Sequence, residues 1–189
     1  MQWRNSVDGY GVVAIALHWL VALVVVVLFG LGLWMVELTY YDDWYRTAPD
    51  LHKATGILLF IAVAARLVWR WLNPSPRPLG RPWERRLAHG VHLLLYVLMF
   101  ATMIAGYLIS TADGRAIEVF GLFAVPATLR DLPNQEDIAG EVHLWLAWSL
   151  IVIAALHALA ALKHRFVDRD ATLERMLRPR KIQTRSSDD

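Results

Sequence analysis

The sequence predicts an all-α fold, an integral membrane four-helix bundle with both chain termini cytoplasmic. Hydrophobic residue types make up 57% of the 189 residues and charged types only 19%, whereas charged types make up about 25% of ordinary soluble domains. Four segments are long and apolar enough to cross a bilayer as helices, which takes about 20 residues. The segments that join them are acidic on one side and basic on the other. This composition excludes a disordered chain, which needs low hydrophobicity.

The four predicted spans cover residues 12–36, 51–71, 89–109 and 142–162. The first contains no charged residue and is too long for the apolar region of a cleavable signal peptide, so we expect it to stay in the mature protein. The spans are rich in valine, but lipid requires every backbone polar group to be satisfied within the segment, which favours helices. Residues 1–189 therefore form a single membrane domain, of which residues 163–189 are a basic cytoplasmic tail.

Charge predicts the orientation of the bundle. Residues 37–50 contain four acidic residues and one arginine, and residues 110–141 contain six acidic residues and two arginines. The connection between the second and third spans is basic instead, with four arginines and one glutamate: Arg77, Arg81, Arg85, Arg86 and Glu84. Because basic segments stay in the cytoplasm, the two acidic loops should face outward.

Four of the seven histidines fall into two pairs when they are sorted by predicted depth. His18 and His157 lie towards the cytoplasmic side, and His52 and His143 lie at the outer side. His143 and His157 are 14 residues apart in the fourth span, so they share one helix face to within about 40° and are separated by about 21 Å. Ionisable groups within a span are rare and commonly functional.

Two stacked histidine pairs in a bundle indicate two b-type haems, each with its iron between two imidazoles. A lone histidine in a span is as readily explained by a hydrogen bond to a neighbouring helix, but the number and placement here favour ligands. An iron with two axial imidazoles has no open position, which predicts electron transfer rather than oxygen activation. The chain has no cysteine, which excludes iron–sulfur clusters and covalently attached haem.

Other side chains leave alternatives open. His89 and His92 begin the third span, and either can replace His18 or His157 as an inner ligand. The alternative for these two, and for His164 beyond the fourth span, is an ordinary polar residue at the interface. The functional interpretation of such a histidine is a hydrogen bond to a haem propionate or to a quinone headgroup, and we assign His164 and His92 to a quinone site.

Arg66, near the cytoplasmic end of the second span, is a candidate partner for a haem propionate. Its ordinary role would be to extend towards lipid headgroups. A non-haem metal centre needs clustered histidine or carboxylate ligands. No acidic residue lies within any predicted span, so that interpretation is disfavoured.

Several segments together resemble the bacterial cytochrome b-561 family. They read IALHWL, LHKATGILL, RLVWR, LAHGVHLLLY, GRAIEVFGLFAVP, EVHLW and ALHALAALKH, and the similarity extends from about Val12 to Pro179. The resemblance implies a multi-pass protein of the bacterial inner membrane with two b haems, and it supports the pairs His18–His157 and His52–His143. It also implies electron exchange with ubiquinone or ubiquinol. One branch of the family oxidises superoxide at the outer face, and there a histidine matching His164 lies near the quinone.

Three functions follow as hypotheses. The first is a quinone-linked oxidoreductase in which superoxide, or another outer donor such as a redox protein, supplies electrons to ubiquinone. The alternative is a haem-b membrane anchor and electron-relay subunit for a partner dehydrogenase or hydrogenase. The third is a haem-free scaffold. The acidic outer loops should repel superoxide, although four basic residues offer a local positive region there: Arg46, Lys53, Arg115 and Arg130. We expect contact with membrane lipid and none with nucleic acid, and we assign no catalytic residue.

Overall fold

The structure is a computed structural model and describes residues 2–179. Four long helices dominate it: α1 (Val12–Met35), α2 (Thr47–Trp71), α3 (Pro82–Ser110) and α4 (Gln135–Phe166). Each is long and apolar enough to cross a membrane. The predicted all-α fold with four long apolar helices is thereby confirmed, while the cytoplasmic position of both termini stays a prediction. Residues 180–189 of the predicted tail lie outside the described residues.

Three of the helices are longer than the spans predicted from apolarity. α3 begins at Pro82 rather than at 89, and α4 covers 135–166 rather than 142–162. The added turns are polar, so an apolar window does not detect them. The start of α3 has its own local cause, because proline is favoured at the first helical position. The Glu84 carboxylate also accepts a 2.8 Å hydrogen bond from the Arg81 backbone N–H.

A small β-hairpin lies between α3 and α4 and was not predicted. Strands β1 (Ile117–Val119) and β2 (Phe123–Val125) pair antiparallel, with Val119 opposite Phe123. The turn between them uses positive φ at Phe120 and Gly121. β1 packs against α2 and buries Val119 completely. Strands of three residues carry too little alternation to be recognised in a sequence.

The helix interfaces bury a small apolar core, and much of the outer helix surface stays exposed. Leu23 and Val26 of α1 are more than 60% exposed. Exposed apolar surface on this scale suits lipid rather than water. The core joins all four long helices through Val21, Leu28, Leu59, Val63, Tyr96, Leu98, Met99 and Leu150.

The two ends of the bundle are named here after the predicted orientation. The outer end carries the loops 36–46 and 111–134, and the inner end carries residues 2–11, 72–81 and 167–179. At the inner end the chain folds back after α4 and forms one further helical turn, α5 (Glu174–Leu177). The Trp19 indole donates a 2.7 Å hydrogen bond to the Met176 carbonyl, so the returning segment is held against α1.

Candidate functional site

The predicted outer pair lies together between α2 and α4. The imidazole centroids of His52 and His143 are 6.2 Å apart, and the rings are inclined by 70°. His143 Nδ1 lies 2.8 Å from the Thr102 carbonyl oxygen of α3. Since a carbonyl only accepts, Nδ1 must carry the proton, which leaves the Nε2 lone pair free. That is the tautomer required of a metal-binding imidazole, and such a second contact is typical of metal ligands.

Two glycines let these rings approach the neighbouring helices. A Cβ atom at Gly106 of α3 would lie 3.0 Å from His143 Cε1, and one at Gly32 of α1 would lie 3.2 Å from His52 Cε1. Each imidazole therefore occupies the space that a side chain would take at these positions. His52 Nδ1 is buried without a hydrogen-bond partner among the described residues. The sequence does not reveal which helix each ring faces, so these contacts were missed.

A cavity of about 410 Å³ extends from this pair towards the outer end. Its deep part is apolar and includes Leu28 and Met99, while Lys53 and Arg115 lie at its outer part. The volume is in the range of cofactor and small-molecule sites, which are mostly apolar with a few polar groups. Gly56 also lines the cavity, and nothing lies within 4 Å of where its Cβ would be. The space beside His52 and His143 thus suits a large flat apolar group.

The predicted inner pair also lies together, and Arg66 lies with it. The centroids of His18 and His157 are 6.4 Å apart with the rings inclined by 77°. Arg66 Nη2 donates a 2.9 Å hydrogen bond to His18 Nδ1, and its guanidinium lies 5.4 Å from the centre of the Tyr96 ring. Arg66 is therefore directed into the bundle and not towards lipid headgroups.

His92 gives the inner end a third imidazole. Its centroid is 5.1 Å from that of His157. A metal bound at about 2 Å from the nitrogens of two opposed imidazoles holds their centroids roughly 6 Å apart. The separations of His18–His157 and His52–His143 fit that arrangement, and the His92–His157 separation is too short for it. His92 thus lies beside the inner pair, while His89 is exposed.

His164 lies at the inner end among carboxylates. Its Nδ1 is 2.9 Å from Asp170 Oδ2 and 3.0 Å from Asp168 Oδ2. Lys163 bridges Asp168 and Glu84, at 2.6 Å and 2.8 Å. His164 is among the residues predicted from the sequence, but these partners are not. The signal that could have found Asp168 is its i+4 spacing from His164, just beyond the end of α4.

The types of side chain that could bind a metal distinguish a non-haem metal site from a haem site. Within residues 2–179 one group of three acidic or histidine side chains comes close enough to share a metal ion, namely Glu84, His164 and Asp168. The Lys163 ammonium already lies between its two carboxylates, so this group needs no added cation. The two intramembrane pairs offer imidazole nitrogen alone, in apolar surroundings, which fits a haem with two axial histidines.

The chain is similar over nearly its whole length to known proteins, several of which are named cytochromes. The family model described as "Prokaryotic cytochrome b561" matches residues 9–179. "Cytochrome b561 homolog 2" of Escherichia coli K12 is 53% identical over 94% of this chain and 95% of its own length. "Probable superoxide oxidase CybB" of Yersinia pestis is 31% identical over 89% of this chain and 95% of its own. "Cytochrome b562" of Cereibacter sphaeroides is 28% identical over 91% and 97%.

Proposed function

Because the chain belongs to the prokaryotic cytochrome b561 family, we propose that it is a di-haem cytochrome that transfers electrons between an outer-face donor and ubiquinone. The family and the four apolar helices make it a multi-pass bacterial membrane cytochrome of electron transfer, and we place it in the inner membrane. One observation carries the proposal. A histidine pair lies at each end of the bundle, with ring centroids 6.2 Å and 6.4 Å apart.

The two pairs are the residues that would hold two b haems. His52 and His143 would hold the outer haem, and His18 and His157 would hold the inner one. When bound, each haem would supply one-electron transfer. The hydrogen bond from His143 Nδ1 to the Thr102 carbonyl fixes the tautomer that leaves Nε2 for the iron.

Arg66 supports the inner haem in a different way. In this structure its guanidinium donates to His18 Nδ1. A histidine that ligates through Nε2 carries its proton on Nδ1, and that nitrogen can no longer accept a hydrogen bond. Arg66 then needs another acceptor, and a haem propionate offers the carboxylate that arginine binds well.

α4 sets the distance over which electrons move. It contributes His143 to the outer site and His157 to the inner site, about 21 Å apart along the helix axis. The hydrocarbon core is about 30 Å thick. The two sites together therefore cover most of the membrane, and both face the interior of the bundle.

Ubiquinone binds at the inner end. His164 follows His157 by seven residues, which places it within about 20° of the same helix face and about 10 Å further along the axis. His92 lies beside His157 at the same end. Imidazole N–H groups of this kind donate to quinone carbonyl oxygens and supply the protons that quinone reduction takes up.

Superoxide is the outer donor that we favour. A relative at 31% identity bears the name of a probable superoxide oxidase. Lys53 and Arg115 line the outer cavity and offer positive charge within an acidic outer end, although each is paired with an aspartate, Asp50 or Asp113. The second candidate donor is a docked redox protein, as for a relay subunit. The exposed apolar tip of the hairpin favours it, since Leu122 is 79% exposed.

The assay for this function uses the purified chain in detergent with short-chain ubiquinone and a steady enzymatic source of superoxide. We expect quinone reduction that depends on superoxide, that is lost in His52→Ala, and that persists in the exposed control His89→Ala. Absence of quinone reduction by the wild-type protein, together with co-purification of a dehydrogenase or hydrogenase, would instead identify a relay subunit.

A further inference from the structure

The inner-end histidine His164 is held by two carboxylates that follow it in the chain. Its Nδ1 lies 2.9 Å from Asp170 Oδ2 and 3.0 Å from Asp168 Oδ2. We propose that Asp170 is a positioning residue that fixes the His164 imidazole so that Nε2 exchanges a proton with the quinone. This inference rests on the proposed function, because it assigns a role within the quinone site.

The contact fixes the tautomer of His164. A carboxylate accepts but does not donate when it is ionised, so Nδ1 carries a proton and Nε2 is left to face another group. Asp170 is suited to this role because its other oxygen accepts a 2.8 Å hydrogen bond from the Thr172 backbone N–H. The Asp170 backbone N–H also donates to the His164 carbonyl oxygen at 3.0 Å. The carboxylate and the backbone of Asp170 are thus both held in place relative to His164.

The two carboxylates are not equivalent. Asp168 Oδ2, the atom near His164, is also 2.6 Å from the Lys163 ammonium, and Lys163 in turn bridges to Glu84 of α3. The charge of Asp168 is therefore largely balanced by a lysine. The nearest cation to the Asp170 carboxylate among these groups is a protonated His164 itself, so Asp170 provides the stronger stabilisation of an imidazolium.

The fold of the returning segment keeps Asp170 in place. The Trp19 indole donates to the Met176 carbonyl at 2.7 Å, and the Arg175 guanidinium donates to the Arg77 carbonyl at 2.8 Å. These contacts tie the segment to α1 and to the connection between α2 and α3. His164 is only 17% exposed at its side chain, so its environment is set by the protein rather than by bulk water.

The electrons and protons of ubiquinone reduction can be accounted for with the groups already named. Reduction of one ubiquinone to ubiquinol takes two electrons, which two one-electron donors supply through the inner site, and two protons from water at the inner face. His164 Nε2–H gives one of these protons to a quinone oxygen, and the neutral imidazole that remains keeps its Nδ1–H on Asp170. Water then restores the proton on Nε2. In quinol oxidation the same steps run in reverse.

The test is Asp170→Asn in the full-length protein, assayed for the kcat and KM of ubiquinone reduction. An amide has no charge, and it can turn its N–H group as well as its oxygen towards Nδ1, so it no longer fixes one tautomer of His164. We expect kcat for ubiquinone to fall by about tenfold or more, within the range of general acid–base effects. KM and haem content should change little, and Asp170→Glu should recover part of the rate.

The matched control is Glu174→Gln, which removes a negative charge from the same segment. Glu174 pairs loosely with Arg165 at 3.7 Å and has no contact with His164. It should keep the wild-type kcat and KM. Equal losses in Asp170→Asn and Glu174→Gln would overturn the inference, because the effect would then be one of general charge.

Two further outcomes separate the inference from the function on which it rests. If Asp170→Asn reduces ubiquinone like the wild type while His164→Ala does not, the inference is wrong and the quinone site stands. If the wild-type protein is reduced by an outer donor but never passes electrons to ubiquinone, the proposed function fails and the inference fails with it.

Discussion

At the scale of residues, the tautomer of a histidine is as informative as its position. His143 donates from Nδ1 to the Thr102 carbonyl of α3, and His164 donates from Nδ1 to Asp170. In both, a second contact leaves Nε2 available, in the first case for the proposed iron and in the second for the proposed proton exchange. His18 differs, because its Nδ1 accepts from Arg66. If His18 holds an iron through Nε2 as proposed, Nδ1 would carry the proton and Arg66 would need another acceptor.

Gly106 tests the outer site without touching a ligand. In Gly106→Ala the new methyl group would lie 3.0 Å from Cε1 and 3.1 Å from Nδ1 of His143. The helix itself gains about 1 kcal/mol of propensity from this change, so any loss comes from displacement of the ring. We expect haem content to fall from two per chain towards one, measured by pyridine haemochrome against protein mass.

Gly30→Ala is the matched control for that experiment. Nothing lies within 4 Å of where its Cβ would be, and it too lies within an apolar helix. It should retain both haems. If Gly106→Ala also retains both haems, the contact of the His143 ring with position 106 is not required for haem binding.

The pairing of the histidines could be predicted from the sequence, but the contacts that each ring makes with neighbouring helices could not. Residue type and spacing alone predict that His52 lies with His143 and that His18 lies with His157. The close approach of the two rings to Gly32 and Gly106 depends on how the helices are rotated about their axes, which apolar spans with weak amphipathicity do not specify. The i+4 spacing of Asp168 offers a signal for that partner of His164, but Asp170 could not be predicted because its contact depends on the returning path of the chain.

At the scale of elements, α4 organises the molecule. It carries His143, His157 and His164 along one side, and it extends beyond the apolar span at both ends. Its inner extension presents Lys163 and His164 to the segment that folds back beneath it. At the outer end the hairpin β1–β2 contributes to the outer cavity, because Ile117 lines it. The apolar segments of the sequence predict the long helices, but they do not predict the short polar elements at the two ends of the bundle.

The returning segment should detach at acid pH. Partial burial alone would raise the pKa of Asp170, but hydrogen bonds from Thr172 and the nearby His164 outweigh it and hold the pKa below its usual 3.8. A lowered folded pKa gives stabilisation that is complete above the ordinary pKa and is lost as the pH falls through the folded one. We expect protection of the Asp170 and Thr172 amides in pulsed hydrogen exchange to be constant above pH 5 and to fall below about pH 4.

Asp170→Asn provides the comparison for that transition. The amide cannot be protonated in this range, so any pH dependence that remains in the variant comes from groups other than Asp170. Identical curves for the variant and the wild type would show that Asp170 does not govern the docking of the segment.

At the scale of the whole molecule, the histidine pairs lie inside the bundle and the apolar surface lies outside, as the proposed electron transfer across the membrane requires. The helix surface exposes large apolar side chains such as Leu23, Leu94 and Leu159, as a lipid-facing surface must. Polar chemistry is confined to the bundle interior and to the two ends. The family match covers residues 9–179, which is nearly the whole chain.

The number of haems per chain is the decisive measurement for the proposed di-haem function. The purified full-length chain is measured by pyridine haemochrome against protein mass and by dithionite-reduced minus oxidised spectra, beside His52→Ala, His18→Ala and the control His89→Ala. We expect two b haems in the wild type and in His89→Ala, and one haem of distinct spectrum in each of the other variants. A single haem in the wild type, or two haems retained after loss of His52 or His18, would show that the two histidine pairs do not hold two haems.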